Sequence, residues 1–339
     1  MSRVPRIAPR LLRQPWQTTQ REGATAVAVL RPTTVRLYST TPARAHAAQP
    51  SGTGSSVSAS EVTHFTNLAS SWWDPHGPSR LLHLMNPLRH DFIKSCLSTS
   101  ADSAAVGPER AKKYAYLDIG CGGGIFASSA ARLPSTSSVT AIDPTAEVIK
   151  VAKEHQRADP LLSLPGRLNY VNCAIEDLES HLSKSKHNHN HNNSQTTTQP
   201  SSSPETFDFV TLFEVIEHID RPSTFLRQAL NHLKPGGWLI GSTIARHPLS
   251  YFTTKVIAEA PWPIGVVPRG THDWDKYINP SELRDWFAKE NREASERGEE
   301  DIYGAVKVEG CVCLPLVGWK FVGRSEEFGN YFFGVQKLR

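Results

Sequence analysis

Apolar runs alternate with helical spacings along most of the chain. The run at 114–117 leads through a cluster of glycines into 125–133, which is spaced as a helix. Val139-Thr140-Ala141-Ile142-Asp143 reads as the next strand, and 146–155 as the helix that covers it. A short strand at 168–171 and a nearly continuous apolar strand at 207–213 follow. Arg221-Pro222 opens a helix that runs to Leu233, Lys234-Pro235-Gly236-Gly237 makes a turn, and a strand starts at Trp238. Upstream, Val62, Phe65, Leu68 and Ala69 lie at helical spacing, and Pro87 suits the first turn of another helix. Strands and helices in strict alternation predict an α/β fold with helices on both faces of a mostly parallel sheet.

The first strand ends in Leu117-Asp118-Ile119-Gly120-Cys121-Gly122-Gly123-Gly124. Glycines at a strand-to-helix turn let the backbone approach a ligand with no Cβ in the way. No Gly-Lys-Ser/Thr ending marks a phosphate loop. Ile125 stands where the dinucleotide pattern needs its last glycine. Asp118 places an acid where a cationic group can sit, so an adenosine ligand with a cationic amino-acid end fits better than a pyrophosphate. Asp143, about 20 residues further on, can accept the ribose hydroxyls. Arg89, in the first turn predicted after Pro87, reads either as a solvated arginine or as the partner of a ligand carboxylate. Trp72 and Trp73 read as core packing or as a lid, with core favoured.

Composition separates the first 50 residues from the rest. They hold eight arginines, no lysine and one acid, Glu22, among many Ser, Thr and Ala. That is the composition of a mitochondrial transit peptide, with a protease site at Arg36-Leu37-Tyr38-Ser39 and cleavage after Tyr38. The predicted organisation is a transit peptide at 1–38, a linker at 39–60 and one domain at 61–339. The whole chain carries 37 Lys and Arg against 33 Asp and Glu; without residues 1–50 the count is 29 against 32. The basic excess therefore belongs to the leader, and the body lacks the basic stripe of a nucleic-acid binder. Five cysteines with no C-x-x-C pair fit a reducing compartment. No apolar run reaches the length of about 18 residues that a membrane span needs.

Two further stretches stand outside the alternation. Residues 183–204 are of low complexity, with His187, His189 and His191 among asparagines, and predict a disordered surface loop. Residues 249–268 carry three prolines, Lys255 and Glu259, which exclude a span. Phe252, Val256 and Ile257 fall on one face of an amphipathic helix, and Tyr251 and Trp262 suit a lipid headgroup region. A lid or core helix is the alternative.

Beyond the strand at 207–213 come Glu214, Glu217 and His218, spaced so that one helical turn puts all three on one face. Two carboxylates and an imidazole can hold a divalent cation, position a turn or supply a base, with His218 as the candidate base. Oxygen ligands suit Mg²⁺, and the imidazole leaves Mn²⁺ or Zn²⁺ open.

The glycine stretch and Ile142-Asp143 resemble the class I S-adenosylmethionine-dependent methyltransferases. Such a fold is Rossmann-like, with a mostly parallel seven-stranded sheet. The likeness narrows with Ser71-Trp72-Trp73-Asp74, Asn86-Pro87-Leu88-Arg89, Glu214-Val215-Ile216-Glu217-His218, Leu233–Gly237, Ser242-Thr243 and Pro268-Arg269-Gly270-Thr271-His272-Asp273-Trp274, then Lys276 and Pro280-Ser281-Glu282-Leu283. In that order these resemble the ubiquinone-biosynthesis O-methyltransferases. The likeness runs from about 61 to the end, interrupted at about 97–112, 183–204 and 289–301, and is weak between Leu283 and Cys311-Val312-Cys313. It implies O-methylation of polyprenylated catechols with S-adenosylmethionine. It also implies cofactor contacts at Arg89, Gly120, Asp143 and the Phe213 backbone, and cation ligands at Glu214, Glu217 and His218. Adenine-edge contacts fall near Glu176 and Asp177. A peripheral place on the matrix side of the mitochondrial inner membrane and a multi-subunit biosynthetic assembly are implied as well. The competing readings are a methyltransferase acting on nitrogen or carbon, which needs no catechol-binding cation, and an assembly subunit that has lost its chemistry.

Overall fold

The computed structural model describes residues 56–99, 112–189 and 205–339, except 262–264, 266, 269 and 315. The predicted transit segment, its cleavage site, most of the linker, Trp262 and His191 lie outside the described residues. The chain is already engaged before residue 61: the Ser56 amide donates to Glu176 at 2.8 Å, and α1 (Ala59–Leu68) opens two residues earlier than predicted.

One sheet organises the rest, in the order β3-β2-β1-β4-β5-β8-β6-β7. The strands are β1 (Tyr114–Ile119), β2 (Thr136–Asp143), β3 (Leu168–Asn172), β4 (Phe207–Phe213), β5 (Leu233–Ile244), β6 (Lys307–Leu314), β7 (Gly318–Phe321) and β8 (Asn330–Gln336). β1 to β5 pair in parallel, whereas β8 lies antiparallel between β5 and β6. The predicted count was seven. The eighth is β7, a hairpin partner that closes back on β6 from Cys311↔Phe321 to Leu314↔Gly318, just beyond the stretch of weak likeness.

Side-chain alternation explains why the parallel strands read as continuous apolar runs. Tyr116, Phe209, Ile240 and Phe332 pack on one face with Met85, Phe92 and Phe126. Their neighbours Leu117, Val210, Leu239 and Phe333 pack on the other with Phe225, Leu226 and Phe287. Each strand thus serves two cores, and truncating one of these buried rings to alanine would cost about 3–5 kcal/mol.

The layers come from α2 (Arg80–Thr99), α3 (Ile125–Arg132), α4 (Ala146–Arg157), α5 (Leu178–His189), α6 (Pro222–Asn231), α7 (Pro248–Tyr251) and α8 (Pro280–Glu296). Pro87 does not start α2 but sits inside it. Met85, Arg89, Phe92, Ile93 and Cys96 are buried along one stripe across the proline, so packing outweighs the lost backbone bond. α5 extends into the stretch predicted as a loop, with Ser183 Oγ donating to the Glu179 carbonyl at 2.8 Å. The turn predicted at 234–237 is an irregularity within β5, where Gly236 takes φ 78° and the register to β4 shifts between Phe207 and Phe209. Strand order reverses between β1 and β4, and a crevice opens there at their carboxyl ends.

Candidate functional site

The crevice is a cavity of about 690 Å³ lined by the glycine turn, the ends of β1, β2 and β4, and parts of α1, α2, α7 and β6. Gly120 takes φ 67° and Gly124 φ 86°, conformations that side-chain-bearing residues rarely adopt. A Cβ at Gly122 or Gly123 would run into the Trp72 ring. Trp72 is therefore buried packing and cavity wall together. Trp73 Nε1 donates to the Gly123 carbonyl at 2.9 Å, and its ring stacks on His155 at 3.5 Å.

Asp143 ends β2 beside this turn. One carboxylate oxygen accepts the Gly122 amide at 3.0 Å and the other the Thr145 amide at 2.8 Å. Burial raises its pKa, while those two bonds favour the ionised form. The Thr145 side chain bonds the carboxylate as well, which leaves room for a further donor. Cys173, Ala174 and Ile175 form the adjoining wall. Glu176, expected near an adenine edge, accepts the Ser56 amide, and neither it nor Asp177 lines the cavity.

Across the turn, Arg89 is buried with its Nε unpartnered. Its guanidinium lies over the Phe213 ring, 4.9 Å from the centroid. Burial lowers its pKa, and the charges of Glu214 and Asp118 oppose that. No carboxylate is in ion-pair contact with it among the described residues. The solvated-arginine reading is thereby excluded, and an unpaired buried guanidinium fits an anionic ligand group. Asp118 is pushed up to about 7 by burial, although Thr211 Oγ1 donates to it at 2.7 Å and Arg89 is near.

The acidic cluster departs from its expected shape. Glu214 has φ 57° and precedes the 3₁₀ turn Ile216–His218, so the three groups do not share one helical face. Glu217 accepts from Thr243 Oγ1 at 2.9 Å, Glu214 accepts from Asn330 at 3.4 Å, and His218 Nδ1 meets Glu61 of α1 at 3.0 Å. Among the described residues, no three His, Cys, Asp or Glu side chains converge to hold a metal ion. The two carboxylates are nonetheless under electrostatic pressure. Glu217 is pushed up to about 8, first by burial and then by the charge of Glu214. Glu214 is raised by burial, and its Oε1 is buried without a partner. Burial depresses His218, but the bond to Glu61 and the surrounding carboxylates raise it overall.

The roof is the segment after β5. It was expected to be an amphipathic α-helix. Instead α7 is one turn, continued as a π-helix over Phe252–Ala258. Its polarity is reversed relative to a surface helix. Ser250, Thr254 and Glu259 are buried, while Leu249, Tyr251, Phe252, Val256 and Ile257 stand 42–52% exposed. Inward, Thr254 Oγ1 bonds the Ser250 carbonyl at 2.7 Å and receives the Tyr277 hydroxyl at 2.8 Å.

Comparison with known proteins decides the family. The family described as "Methyltransferase domain" matches residues 100–293. The mitochondrial ubiquinone biosynthesis O-methyltransferase of Candida albicans is 38% identical over 84% of this chain and 86% of its own length. Those of Schizosaccharomyces pombe and Saccharomyces cerevisiae are 39% and 32% identical, each over 83% of this chain and 87% and 88% of their own. The chain belongs to the ubiquinone biosynthesis O-methyltransferases. Among solved structures, the plantazolicin methyltransferase BpumL in complex with SAH superposes with a TM-score of 0.50 at 15% identity, covering 83% of this chain and 97% of that one. A likeness at that identity concerns the fold.

The seven residues implied by the ubiquinone O-methyltransferase pattern, Arg89, Gly120, Asp143, Phe213, Glu214, Glu217 and His218, all line this one cavity. Several groups escaped notice. Glu61 is the partner of His218, and its only signal is that it stands four residues before Phe65, on the same helical face. Cys311 and Asn330 come from strands whose pairing the local sequence does not specify. Glu259 and His272, 13 residues apart, meet only because the chain folds back over the roof. Asp143→Ala should lower S-adenosylhomocysteine affinity about tenfold or more, the worth of one charge-assisted hydrogen bond at roughly 1.5–3 kcal/mol. Isothermal calorimetry checks this, and an unchanged Kd would remove Asp143 from the binding site.

Proposed function

We propose that the chain transfers a methyl group from S-adenosylmethionine to a phenolic oxygen of a polyprenylated catechol, and that this cavity is where it does so. Family membership supplies the reaction class, O-methylation in ubiquinone biosynthesis. The observation that carries the site is a buried, unpaired Arg89 beside a glycine turn, facing two buried carboxylates in the same cavity. S-Adenosylmethionine, when bound, supplies the electrophilic methyl carbon. Arg89 holds its carboxylate, Asp118 balances its cationic end, Asp143 accepts from the ribose, and the Phe213 backbone closes the wall.

The acid pair fits a divalent cation. An orphaned Glu214 oxygen and a Glu217 carboxyl raised to about 8 mark a pocket short of positive charge. Glu214 and Glu217 would hold the ion, and His218 would join them on leaving Glu61. The ion would lower the pKa of a catechol hydroxyl bound beside it. A methyl-transfer assay on a polyprenyl dihydroxybenzoate, with and without chelator, tests both parts. Turnover confined to amines would sink the first, and full turnover under chelation the second.

The relatives' mitochondrial location and the Arg-rich leader support a mitochondrial protein. In this reading the chain works at the matrix face of the inner membrane, in a multi-subunit assembly that passes on a lipid-soluble substrate. No described helix is long and apolar enough to cross a membrane. The outward apolar face of the α7 and π-helical roof supports peripheral contact instead. Phe252 and Val256 are exposed and lie outside the cavity lining. Phe252→Glu with Val256→Glu should reduce liposome sedimentation at least about tenfold, since each charge opposes burial of its face. S-Adenosylhomocysteine affinity should stay the same. Sedimentation equal to the native chain would place the lipid contact elsewhere.

A further inference from the structure

The roof of the cavity holds a histidine–carboxylate pair that the roles above leave unused. Glu259 is buried at the end of the π-helix and is held from several sides. Its oxygens accept the amides of Gly270 and His272 at 2.8 and 2.9 Å and the Lys255 ammonium at 3.1 Å. His272 Nδ1 lies 3.1 Å from Glu259 Oε1, and Lys255 also donates to the His272 carbonyl at 2.7 Å. This wiring fixes the ring with Nδ1 toward the carboxylate, and Nε2 makes no hydrogen bond to any described residue. His272 lines the same cavity as Glu217 and His218.

We propose that His272 is the proton acceptor for the attacking catechol hydroxyl, with Glu259 as its positioning residue. The role rests on the O-methyltransferase reading above. The phenolic oxygen forms a bond to the methyl carbon as the carbon–sulfur bond breaks. The sulfonium becomes the neutral thioether of S-adenosylhomocysteine, and the hydroxyl proton passes to Nε2. Glu259 balances the imidazolium, which returns the proton to water after product leaves.

The other cavity histidine, His218, and the neighbouring His64 suit this task less well. His218 is tied through Nδ1 to Glu61 and is driven toward its charged form, while His64 bonds Thr271 Oγ1 through Nε2 at 3.3 Å. Burial lowers the pKa of His272, partly offset by Glu259, so its ring is neutral and able to accept at pH 7. The groups facing it are Glu259 and Lys255 from the π-helix, His218 beyond β4, Tyr277 below, and His64 of α1 through Thr271.

The test compares the full-length native chain with His272→Gln and Glu259→Gln, using S-adenosylmethionine and two diphenols. One is an ordinary prenylated dihydroxybenzoate; the other is a nitrocatechol, whose hydroxyl is already largely ionised near neutral pH. His272→Gln should lose about a hundredfold or more in kcat on the first, in keeping with general-base catalysis. It should also lose the acid limb of the pH profile below about pH 6.5 that a neutral His imposes. S-Adenosylhomocysteine affinity should hold, and the deficit should shrink below about tenfold on the nitrocatechol. Glu259→Gln should show a smaller loss with the same rescue. Equal loss on both substrates, or a loss under about threefold on the first, overturns the role. If His272→Gln fails to bind S-adenosylhomocysteine, imidazole ¹⁵N shifts of the native chain decide. A neutral ring protonated at Nδ1 at pH 7 supports the assignment, and a cationic ring overturns it. A native chain that methylates no diphenol at any pH overturns the O-methyltransferase reading and this role with it. Native turnover with an unimpaired His272→Gln overturns this role alone.

Discussion

Glu217→Gln is expected to lower turnover on a prenylated catechol at least about a hundredfold. The substitution keeps the shape of a fully buried side chain that receives Thr243 Oγ1. What it removes is the ability to ionise beside Glu214 when a cation binds, the carboxyl of the free chain being pushed up to about 8. If the pair holds a divalent cation, the lost transition-state stabilisation is several kcal/mol, and each 1.36 kcal/mol is tenfold in rate. S-Adenosylhomocysteine affinity should stay within about threefold, because the proposed cofactor contacts Arg89, Gly120 and Asp143 are untouched. The measurement is steady-state methyl transfer across a Mg²⁺ titration, with binding followed by calorimetry. Full activity of the variant, together with indifference to chelator, would leave Glu217 as a structural acceptor for Thr243. A loss of both turnover and cofactor binding would point to a collapsed pocket.

The fold was legible where burial is two-sided. Runs such as Phe207–Phe213 are apolar because both faces of a parallel strand are covered, and the glycine turn is marked by positions that tolerate no Cβ. Non-local pairing was not legible. β7 joins the sheet only through its hairpin with β6, and β8 slots between β5 and β6 although it comes last in the chain. Pro87 misled the boundary of α2 because local propensity yields to a continuous buried stripe.

Within the cavity, the shared place of the named residues was readable and their geometry was not. The spacing of Glu214, Glu217 and His218 implies one face only on a helix, and a left-handed residue at Glu214 breaks that premise. Phe252, Val256 and Ile257 are all exposed, yet Ile257 also borders the cavity, and the inward place of Ser250, Thr254 and Glu259 depends on a π-helix that spacing rules do not anticipate.

The affinity for S-adenosylmethionine should rise about tenfold between pH 6 and pH 8 through Asp118. Its carboxyl sits near pH 7 in the free chain, raised first by burial and held back by Thr211 and Arg89. A cationic ligand end nearby favours the ionised form, so binding lowers that pKa and releases a proton. Below pH 7 the ligand must first displace the proton, and the cost grows tenfold per pH unit; above about pH 8 it vanishes. The same shift acts on stability with the opposite sense. The folded chain holds the Asp118 proton up to about pH 7, whereas the unfolded chain loses it near the ordinary value of 3.8. Its contribution to stability is therefore present below that value and is lost as pH rises toward 7. Asp118→Asn should bind about 10–150-fold more weakly at pH 8, the equivalent of 1.5–3 kcal/mol for a charge-assisted contact, and should lose the pH slope of affinity. It should also unfold at a higher temperature than the native chain near pH 8 when no ligand is present. Calorimetric titrations at pH 6, 7 and 8 in buffers of different ionisation enthalpy report both the slope and the released proton. A native affinity that is flat across this range, with no proton released, would mean that Asp118 does not face the cationic end of the cofactor.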